Sequence, residues 1–566
     1  MGTGRPTRGP QSASPANLVP IYNRLIRNPI RNPHSAILNG VLALTGAIVL
    51  MSLRLLAQSD HQHPASPQVL RTSDSVLSVA QRPVPLRTGI GSAHDAVATR
   101  SKQAAAFHDQ GLAYLHSYVW LEAARSFNQA LRLDPKLAMA HVGLSIAYLE
   151  LNASAAAHAA LDRAKALATT DHERRHVAAR ALQMAAEGAP ADTAKLAAYR
   201  VALDEALVKF PADEEFWLQR GQAESPDPAE RGQGSVAGSA RFYEKALALA
   251  PTHFAAHHYL THAYENAGRV QDALTQGTTY AKMAPAIPHA RHMAGHDLRR
   301  AGRIDDAIVE FAAADAIETA YFAAEKIPVE YDWHYQHNLD LLATSYQYVG
   351  QMRKADALFR RSFAIASSLL VQEFNKREWP EFLLARGRVQ EAQSAAGVMA
   401  AHRSRVVSAA GHLELGRARM ALRQFKDAAD EGNAALRLIR GAEGGGIVAL
   451  PLQAFQGEFL LRTGKAAQGK PMLEDVVRKA RALPGPDAWA QTLFTIEAIA
   501  RAARDAGDWT FAAWAARQMI EHDTHYAGSH AALALVAEHN GDTATARAER
   551  ALVAQYWKNA DPELKK

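Results

Sequence analysis

A helix–turn–helix pattern of about 34 residues repeats along most of this chain of 566 residues and constrains its fold more than any other feature. The stretch AFHDQGLAYLHSYVWLEAARSFNQALRLDP, which begins at Ala106, shows the pattern in full. Gly111 and Ala123 allow two helices to cross closely, Phe127 fills the gap between them, and Pro135 ends the second helix. Turn glycines recur 34 residues apart, at Gly268 and Gly302 and again at Gly507 and Gly541.

The pattern resembles the tetratricopeptide repeat, and the chain as a whole resembles a tetratricopeptide repeat protein of the membrane-anchored bacterial type. With a recurring alanine as the anchor, units begin near residues 104, 138, 254, 288, 336, 409, 450, 493 and 527. The resemblance implies an all-α fold, a right-handed α-solenoid whose concave groove is lined by the first helix of each unit. The insertion over 317–335 is interpreted as a loop on one face of the solenoid.

Composition and patterning divide the chain into seven segments. We expect a basic cytoplasmic tail over 1–34, a transmembrane anchor over 35–57, a flexible, disordered linker over 58–100, tetratricopeptide repeats over 101–170, helical hairpins with a loop insertion over 171–253, histidine-rich repeats over 254–370, and C-terminal repeats of the same kind over 371–560.

The N-terminal region carries a membrane signal. Residues 36–53 contain no charge and, as a helix, would be about 27 Å long, which is enough to cross a hydrocarbon core. Five arginines precede this run and one follows it closely. The positive-inside rule therefore predicts a single-pass protein of the inner membrane whose C-terminal domain faces the periplasm. A cleaved signal peptide is the alternative.

Charge and composition exclude several classes of function. The absence of cysteine excludes disulfides, thiolate metal sites and cysteine nucleophiles. The first 100 residues carry a net charge of +7, so the repeats themselves are close to neutral and no nucleic acid is expected as a partner. The run ERRH, from Glu173, indicates a solvated charged face. The chain shows no glycine-rich phosphate loop and no nucleophile elbow.

Two repeats carry matching histidine pairs. The stretches HHYLTHAYENAGRVQDA, from His257, and RHMAGHDLRRAGRIDDA, from Arg291, are copies of one pattern. In tetratricopeptide repeats, positions 2, 5 and 9 of the first helix face the groove, and the next repeat adds one more histidine and an aspartate there. The resemblance therefore directs seven side chains into the groove: His258, His262, His289, His292, His296, His337 and Asp340.

These residue types suit a metal ion. Imidazoles one helical turn apart, on helices that pack about 8–10 Å apart, can meet at one ion, and neutral imidazole binds Zn, Cu, Ni or Fe. The zincin pattern is not met, because Tyr259 and Met293 stand where that mechanism needs a glutamate. Repeat duplication without a role for the histidines is an alternative origin. His257 is expected to pack, and His334 to lie in a lid.

Two functions remain open at this point. The first is a membrane-tethered scaffold that binds a partner protein or peptide in its concave groove. The second is a metal-binding protein or metal-dependent enzyme that uses the histidine cluster, with Zn, Cu or Fe as the candidate metals.

Overall fold

A computed structural model describes residues 74–227, 229, 234–367, 369–483 and 488–565. The predicted cytoplasmic tail, the transmembrane anchor and the first part of the predicted linker lie outside these residues. Among the helices that are described, none combines the length and the apolar character that a membrane span requires.

The chain from residue 74 to residue 100 is packed, unlike the flexible linker expected there. It begins with helix α1, Asp74–Ala80, whose Val76 and Val79 are buried. The segment after α1 is held by Gln110 of the first hairpin, whose side chain hydrogen-bonds to its main chain. Nε2 of Gln110 donates to the oxygen of Pro85 at 3.1 Å, and Oε1 accepts from the nitrogen of Arg87 at 2.7 Å. The linker prediction is therefore wrong for this part of the segment.

The rest of the described chain is an array of antiparallel helical hairpins of the tetratricopeptide kind, as the repeat pattern predicts. Four N-terminal hairpins pair α2 with α3, α4 with α5, α6 with α7 and α8 with α9. In order, α2 to α9 span Lys102–His116, Trp120–Leu133, Ala138–Glu150, Ser154–Leu167, Asp171–Glu187, Thr193–Lys209, Glu214–Gln222 and Ala237–Leu249.

Three central hairpins follow and carry the histidine-rich segment. They pair α10 with α11, α12 with α13 and α14 with α15. In order, α10 to α15 span Phe254–Asn266, Val270–Met283, Pro288–Arg300, Ile304–Glu325, His334–Tyr348 and Met352–Ala364.

The C-terminal part begins with a short helix, α16, Leu370–Asn375, and continues as five more hairpins, from α17 paired with α18 to α25 paired with α26. In order, α17 to α26 span Glu378–Ala385, Val389–Ala400, Arg405–Ala421, Phe425–Ile439, Ala449–Arg462, Ala466–Arg481, Ala488–Asp505, Trp509–His522, Ala527–His539 and Thr543–Tyr556.

The small residues of the repeat act as predicted. A Cβ atom added to Gly111 or to Gly143 would overlap the ring of Phe127, which is fully buried between α2, α3 and α4. The turns between the helices of several hairpins need a left-handed residue, and Gly268 and Gly302 supply it with φ angles of 74° and 76°. These packing and turn requirements explain why the same residue types recur in the sequence.

The insertion over 317–335 is mostly helical and differs from the predicted loop. Helix α13 extends to Glu325, and a 3-10 turn, Val329–Tyr331, leads into α14. Phe322 and Ile327 are buried, and burying this apolar surface favours the longer helix.

The array coils back so that both of its ends contact the central hairpins. In the first hairpin, the oxygen of Tyr118 accepts a hydrogen bond from Nε1 of Trp333 at 2.9 Å. At the other end, Nε1 of Trp557 donates to the oxygen of Tyr348 at 2.9 Å. The histidine-bearing helices are therefore enclosed between hairpins that are distant in sequence.

Candidate metal centre

The first helices of the three central hairpins place their histidines on one enclosed side of the array. Residues three and four apart lie on the same face of a helix, so each helix presents its imidazoles together. The residues concerned are His258 and His262 of α10, His289, His292 and His296 of α12, and His334 and His337 of α14.

Three of these residues form the first triad, His258, His262 and His289. The Nε2 atom of His258 lies 3.1 Å from Nε2 of His262 and 3.0 Å from Nε2 of His289. Ligand nitrogens at about 2.0–2.1 Å from a tetrahedral Zn²⁺ are about 3.3 Å from each other. These two distances are therefore close to those in a metal site, and the third pair of ligand nitrogens lies within 4.8 Å.

The second triad consists of His292, His296 and His337. Its ligand nitrogens lie within 4.8 Å of one another, and the ring centroid of His292 is 4.5 Å from that of His296 and 4.9 Å from that of His337. His289 connects the two triads, since its ring lies 4.9 Å from His258 and 5.9 Å from His292.

Hydrogen bonds fix the tautomer of one histidine in each triad. The Nδ1 atom of His258 donates to the main-chain oxygen of His116 at 2.6 Å. The Nδ1 atom of His292 donates to Oδ1 of Asn338 at 3.0 Å, because the amide nitrogen of Asn338 donates to the oxygen of Phe311. A neutral imidazole that donates from Nδ1 keeps its lone pair on Nε2. Both rings are therefore oriented to bind an ion through Nε2.

His334 stands beside the second triad and is paired with a buried carboxyl group. Its ring centroid lies 4.3 Å from that of His292, and its Nδ1 lies 2.7 Å from Oε1 of Glu318. Burial, followed by the charges of Asp332 and Asp315, raises the pKa of Glu318 well above its usual 4.5. A carboxyl group behind a ring nitrogen is the usual outer partner of a metal-binding histidine.

The cluster is shielded from water, and this burial favours the neutral form of three of its imidazoles. Five of the six triad histidines expose 4% of their surface or less, and His337 is the one that is partly exposed. Burial lowers the pKa of His258 to about 3. Burial, and then the positive charge that a neighbouring imidazole would carry, lowers the pKa of His289 and of His292 well below 6.5. Neutral rings are the form that binds metal ions.

Aromatic rings cover the first triad. Tyr280 stacks on His258 with centroids 4.6 Å apart. Tyr118 lies 4.7 Å from His258 and 5.2 Å from His289. Tyr118 occupies the turn position that glycine holds in later hairpins, and its φ of 57° is uncommon for a residue with a side chain.

A cavity of about 210 Å³ adjoins the second triad at His337. It is lined by the first helices of successive hairpins, with Thr344 on α14, Phe382 on α17, Arg417 on α19 and Arg501 on α23 among the lining residues. A small molecule in this cavity would be next to the most exposed histidine of the centre.

The predicted site residues are brought together with one exception. The six histidines form the two triads, although they are buried rather than exposed in an open groove. Asp340 belongs to neither triad; its Oδ1 accepts a hydrogen bond from Oγ of Ser362 at 2.5 Å, and it lines the cavity. His257, expected to pack, is half-buried and contacts Gln276.

The residues that orient and cover the triads were not identified from the sequence. His116 and Tyr118 come from the first hairpin, and Asn338 and Glu318 come from neighbouring helices. His334, which the sequence placed in a lid, is on α14 and packs in the cluster. Its spacing of three residues from His337 was the available signal, because both then lie on one helix face.

No family model matches the chain, and no curated protein matches it. Solved structures show distant similarity. Yeast Tom70 matches with a TM-score of 0.36 and 12% identity, over 76% of this chain and 92% of that chain. A monomeric IFIT1 mutant with Gppp-AAAA matches with a TM-score of 0.35 and 10% identity, over 89% of this chain and 99% of that chain. The Cut9–Hcn1 hetero-tetramer of APC/C matches with a TM-score of 0.25 and 14% identity, over 82% of this chain and 96% of that chain. These values support no inference about function.

Proposed function

We propose that this protein binds transition-metal ions, with one ion in each histidine triad. The observation that carries the proposal is the convergence of six imidazoles in two groups whose ligand nitrogens lie within 4.8 Å of one another. Donors that are all imidazole, with no thiolate available, favour copper or zinc over the harder cations.

Each triad supplies three protein ligands and leaves one position of a tetrahedral ion open. Three protein ligands with an open position are characteristic of catalytic metal sites, whereas structural sites are closed by four. The cavity beside His337 provides a place for an exogenous ligand at the second triad. These features support a metal-dependent reaction on a small substrate as the role of the centre.

The nearby carboxyl groups support the binding of positive charge in this enclosed region. Two divalent ions in a dry site require compensation, because an isolated buried charge is strongly unfavourable. Glu318 contacts His334, and Oε1 of Glu265 lies 3.6 Å from Nδ1 of His296. Both carboxyl groups are buried, and in their ionised form they would lower the cost of binding an ion.

The test is the metal content of the full chain after chelation and reloading with Zn²⁺ or Cu²⁺, counted by mass spectrometry. Changing His262→Ala removes a ligand of the first triad, and His296→Ala removes one of the second, so each variant should bind one ion fewer than the wild type. His257→Ala is the matched control, because His257 lies on the same helix as His262 but outside the cluster.

Cobalt-loaded protein gives a second readout, since loss of a ligand alters the ligand-field spectrum. Unchanged metal content in the double variant would refute the proposal.

Partner binding is a second proposal, supported by the lining of the cavity. First helices of successive hairpins contribute both apolar and charged side chains to it, and repeat proteins use such surfaces to bind partners. A photocrosslinker in place of Thr344 should then capture a protein or peptide, whereas one in place of Val398, which is 63% exposed and outside the cavity lining, should not.

The partner-binding proposal includes membrane tethering. Residues 36–53 would anchor the chain in the inner membrane, with the repeats in the periplasm. Fractionation of cells that express the full chain tests it. We expect the protein in the inner-membrane fraction, and loss of that association when the uncharged run is deleted.

A further inference from the structure

A further group of histidine and aspartate side chains that could hold a metal ion lies among the N-terminal hairpins, outside the two triads. Asp95 comes from the packed segment before α2, His172 and His176 come from α6, and Asp213 precedes α8. The histidines belong to DHERRH, and they are one helical turn apart. This run was expected to be a solvated charged face, but His176 is only 2% exposed.

The four side chains bring one ligand atom each to within 4.8 Å of one another. The two Nε2 atoms are 3.3 Å apart. Oδ2 of Asp213 lies 2.6 Å from Nε2 of His172 and 3.3 Å from Nε2 of His176. The two oxygens of Asp95 complete the group, 3.5 Å from the first ring nitrogen and 3.6 Å from the second. The distance between the two ring nitrogens and the distance from Asp213 to His176 match the edge of about 3.3 Å that Zn²⁺ imposes on its ligands, and Asp95 faces each ring with one of its oxygens.

The surrounding residues hold these ligands in place. The ring of His176 stacks on Phe216 with centroids 3.8 Å apart, and His172 meets Phe210 edge-on at 5.2 Å. Oδ1 of Asp213 accepts from the nitrogen of Phe216 as the N-cap of α8, which leaves Oδ2 facing the histidines. Orientation by neighbours of this kind is typical of metal ligands.

We propose that these four residues bind one Zn²⁺ ion as a closed, structural site. Two imidazoles and two carboxylates supply all four ligands of a tetrahedral ion and bring two negative charges to neutralise it. Calcium is not expected, because it takes six to eight oxygen ligands. The site differs from each histidine triad, which has three protein ligands and an open position.

The ion would fasten the segment before α2 to the third and fourth hairpins. Ties to this segment already come from hydrogen bonds, in which Ala98 donates to Glu173 at 3.3 Å and Thr99 donates to Asp134 at 2.5 Å. A zinc bridge through Asp95 would add a link from the same segment to α6 and α8. Because the ion binds the folded chain, it would raise the thermal midpoint of unfolding.

The competing interpretation is a hydrogen-bonded network of histidines and aspartates that binds no metal. Zinc titration of the chelated full chain separates the two. To isolate this site, the titration uses the background His262→Ala with His296→Ala, in which both triads lack a ligand. We expect one tightly bound Zn²⁺ to remain per chain, and to be lost on His172→Gln or Asp95→Asn.

His94→Gln is the matched control, because His94 precedes Asp95 and pairs instead with Asp109 at 2.8 Å. It should retain the ion. His172 is a suitable position for substitution because its side chain is 16% exposed, so the fold should tolerate the change. Should a variant fail to fold, Co²⁺ added to the His262→Ala, His296→Ala background provides a second readout, the spectrum of a tetrahedral ion.

Zinc content that is the same with and without His172→Gln, or a thermal midpoint that zinc does not raise, would overturn the structural site. Neither result bears on the histidine triads, whose test is the loss of ions on changing His262 and His296. The two proposals can therefore fail separately.

Discussion

The Nδ1 atom of His258 donates a hydrogen bond to the main-chain oxygen of His116 at 2.6 Å, although 142 residues separate the two in the chain. A carbonyl oxygen only accepts, so the proton of the ring lies on Nδ1 and the lone pair of Nε2 faces the other histidines of the first triad. The contact between the first and the central hairpins therefore also sets the chemical form of a candidate ligand.

Metal removal should loosen this contact. The proposed ion in the first triad would hold the ring of His258, and that ring bonds to His116 at the end of α2. We expect hydrogen exchange over 116–120 to become faster when the metal is chelated, together with a lower thermal midpoint. The hairpin formed by α25 and α26 provides the internal control, because it contributes no residue to either triad. Equal changes in both hairpins would indicate general destabilisation instead.

Replacing Tyr118 by glycine should have two opposing effects on stability, because it relieves backbone strain and also removes a ring that covers the first triad. Its φ of 57° would suit glycine, so Tyr118→Gly relieves strain of about 1 kcal/mol. The same change removes a buried ring that packs on His258 and His289, which costs about 3–5 kcal/mol. We expect a net loss of stability and faster metal release to a chelator.

Asn152→Gly is the matched control for that substitution. Asn152 holds the equivalent turn position in the second hairpin with φ of 59°, and it is exposed to solvent, unlike the buried Tyr118. It should gain up to about 1 kcal/mol of stability and release metal at the wild-type rate. Faster release in this variant would attribute the effect to the turn rather than to the tyrosine ring.

Substituting alanine for two helical glycines should distinguish glycines that are needed for close helix packing from glycines that only lower helix propensity. In Gly111→Ala, the new methyl group would overlap the ring of Phe127, so we expect a loss of about 1–3 kcal/mol in the free energy of unfolding. Gly397→Ala places a methyl group on a helix where no atom lies within 4 Å, and it should stabilise by about 0.5–1 kcal/mol. Chemical denaturation measures both, and a loss of similar size at both positions would contradict the packing argument.

The repeat period made much of the centre predictable. Helical periodicity places His258 and His262 on one face, and the register of the repeats places His292 and His296 on the matching face of a neighbour. That reasoning found all six triad histidines. It also placed Asp340 at a groove position, where its side chain instead bonds to Ser362 of the following helix.

Long-range closure explains what the sequence did not reveal. Tyr118 and His116 reach the triads because the array coils back, and a single sequence carries no signal for a contact across 142 residues. The packed segment before α2 was hidden by its Ser- and Pro-rich composition. The spacing of Val76 and Val79, which are both buried, was the clue to its packing.

Glu414 should make stability depend on pH in the neutral range. It is buried and shares Arg417 with Glu458, at 3.2 Å, and with Glu381, at 3.8 Å. Burial, and the two neighbouring carboxylates against the attraction of Arg417, raise the pKa of Glu414 from 4.5 to about 8. The folded state therefore holds this proton more tightly than the unfolded state, so the stabilisation is complete below pH 4.5 and is lost as pH rises towards 8.

Glu414→Gln tests the sign of this dependence, because the amide stays neutral at every pH. The free energy of unfolding of the variant, relative to the wild type, should increase between pH 5 and pH 8, with each unit of pKa shift worth about 1.4 kcal/mol. Glu538→Gln is the control, since Glu538 is exposed and paired with Arg550. A relative stability of Glu414→Gln that falls over this range would contradict the assignment.

Access to the second triad should depend on the cavity beside His337. Azide binds open positions of metal ions, and in cobalt-loaded protein it should change the spectrum of the ion at the second triad while leaving the ion at the buried first triad unchanged. Ala385 lines the cavity, so Ala385→Trp should fill part of the 210 Å³ and slow or prevent the change. Val208→Trp adds the same side chain at a position that is 85% exposed, and it should respond to azide as the wild type does.

An azide response that survives Ala385→Trp unaltered would mean that ligands reach the ion by another route. The absence of any response in the wild type would mean that the position is closed, and the centre would then be a store or carrier of metal rather than a catalytic site.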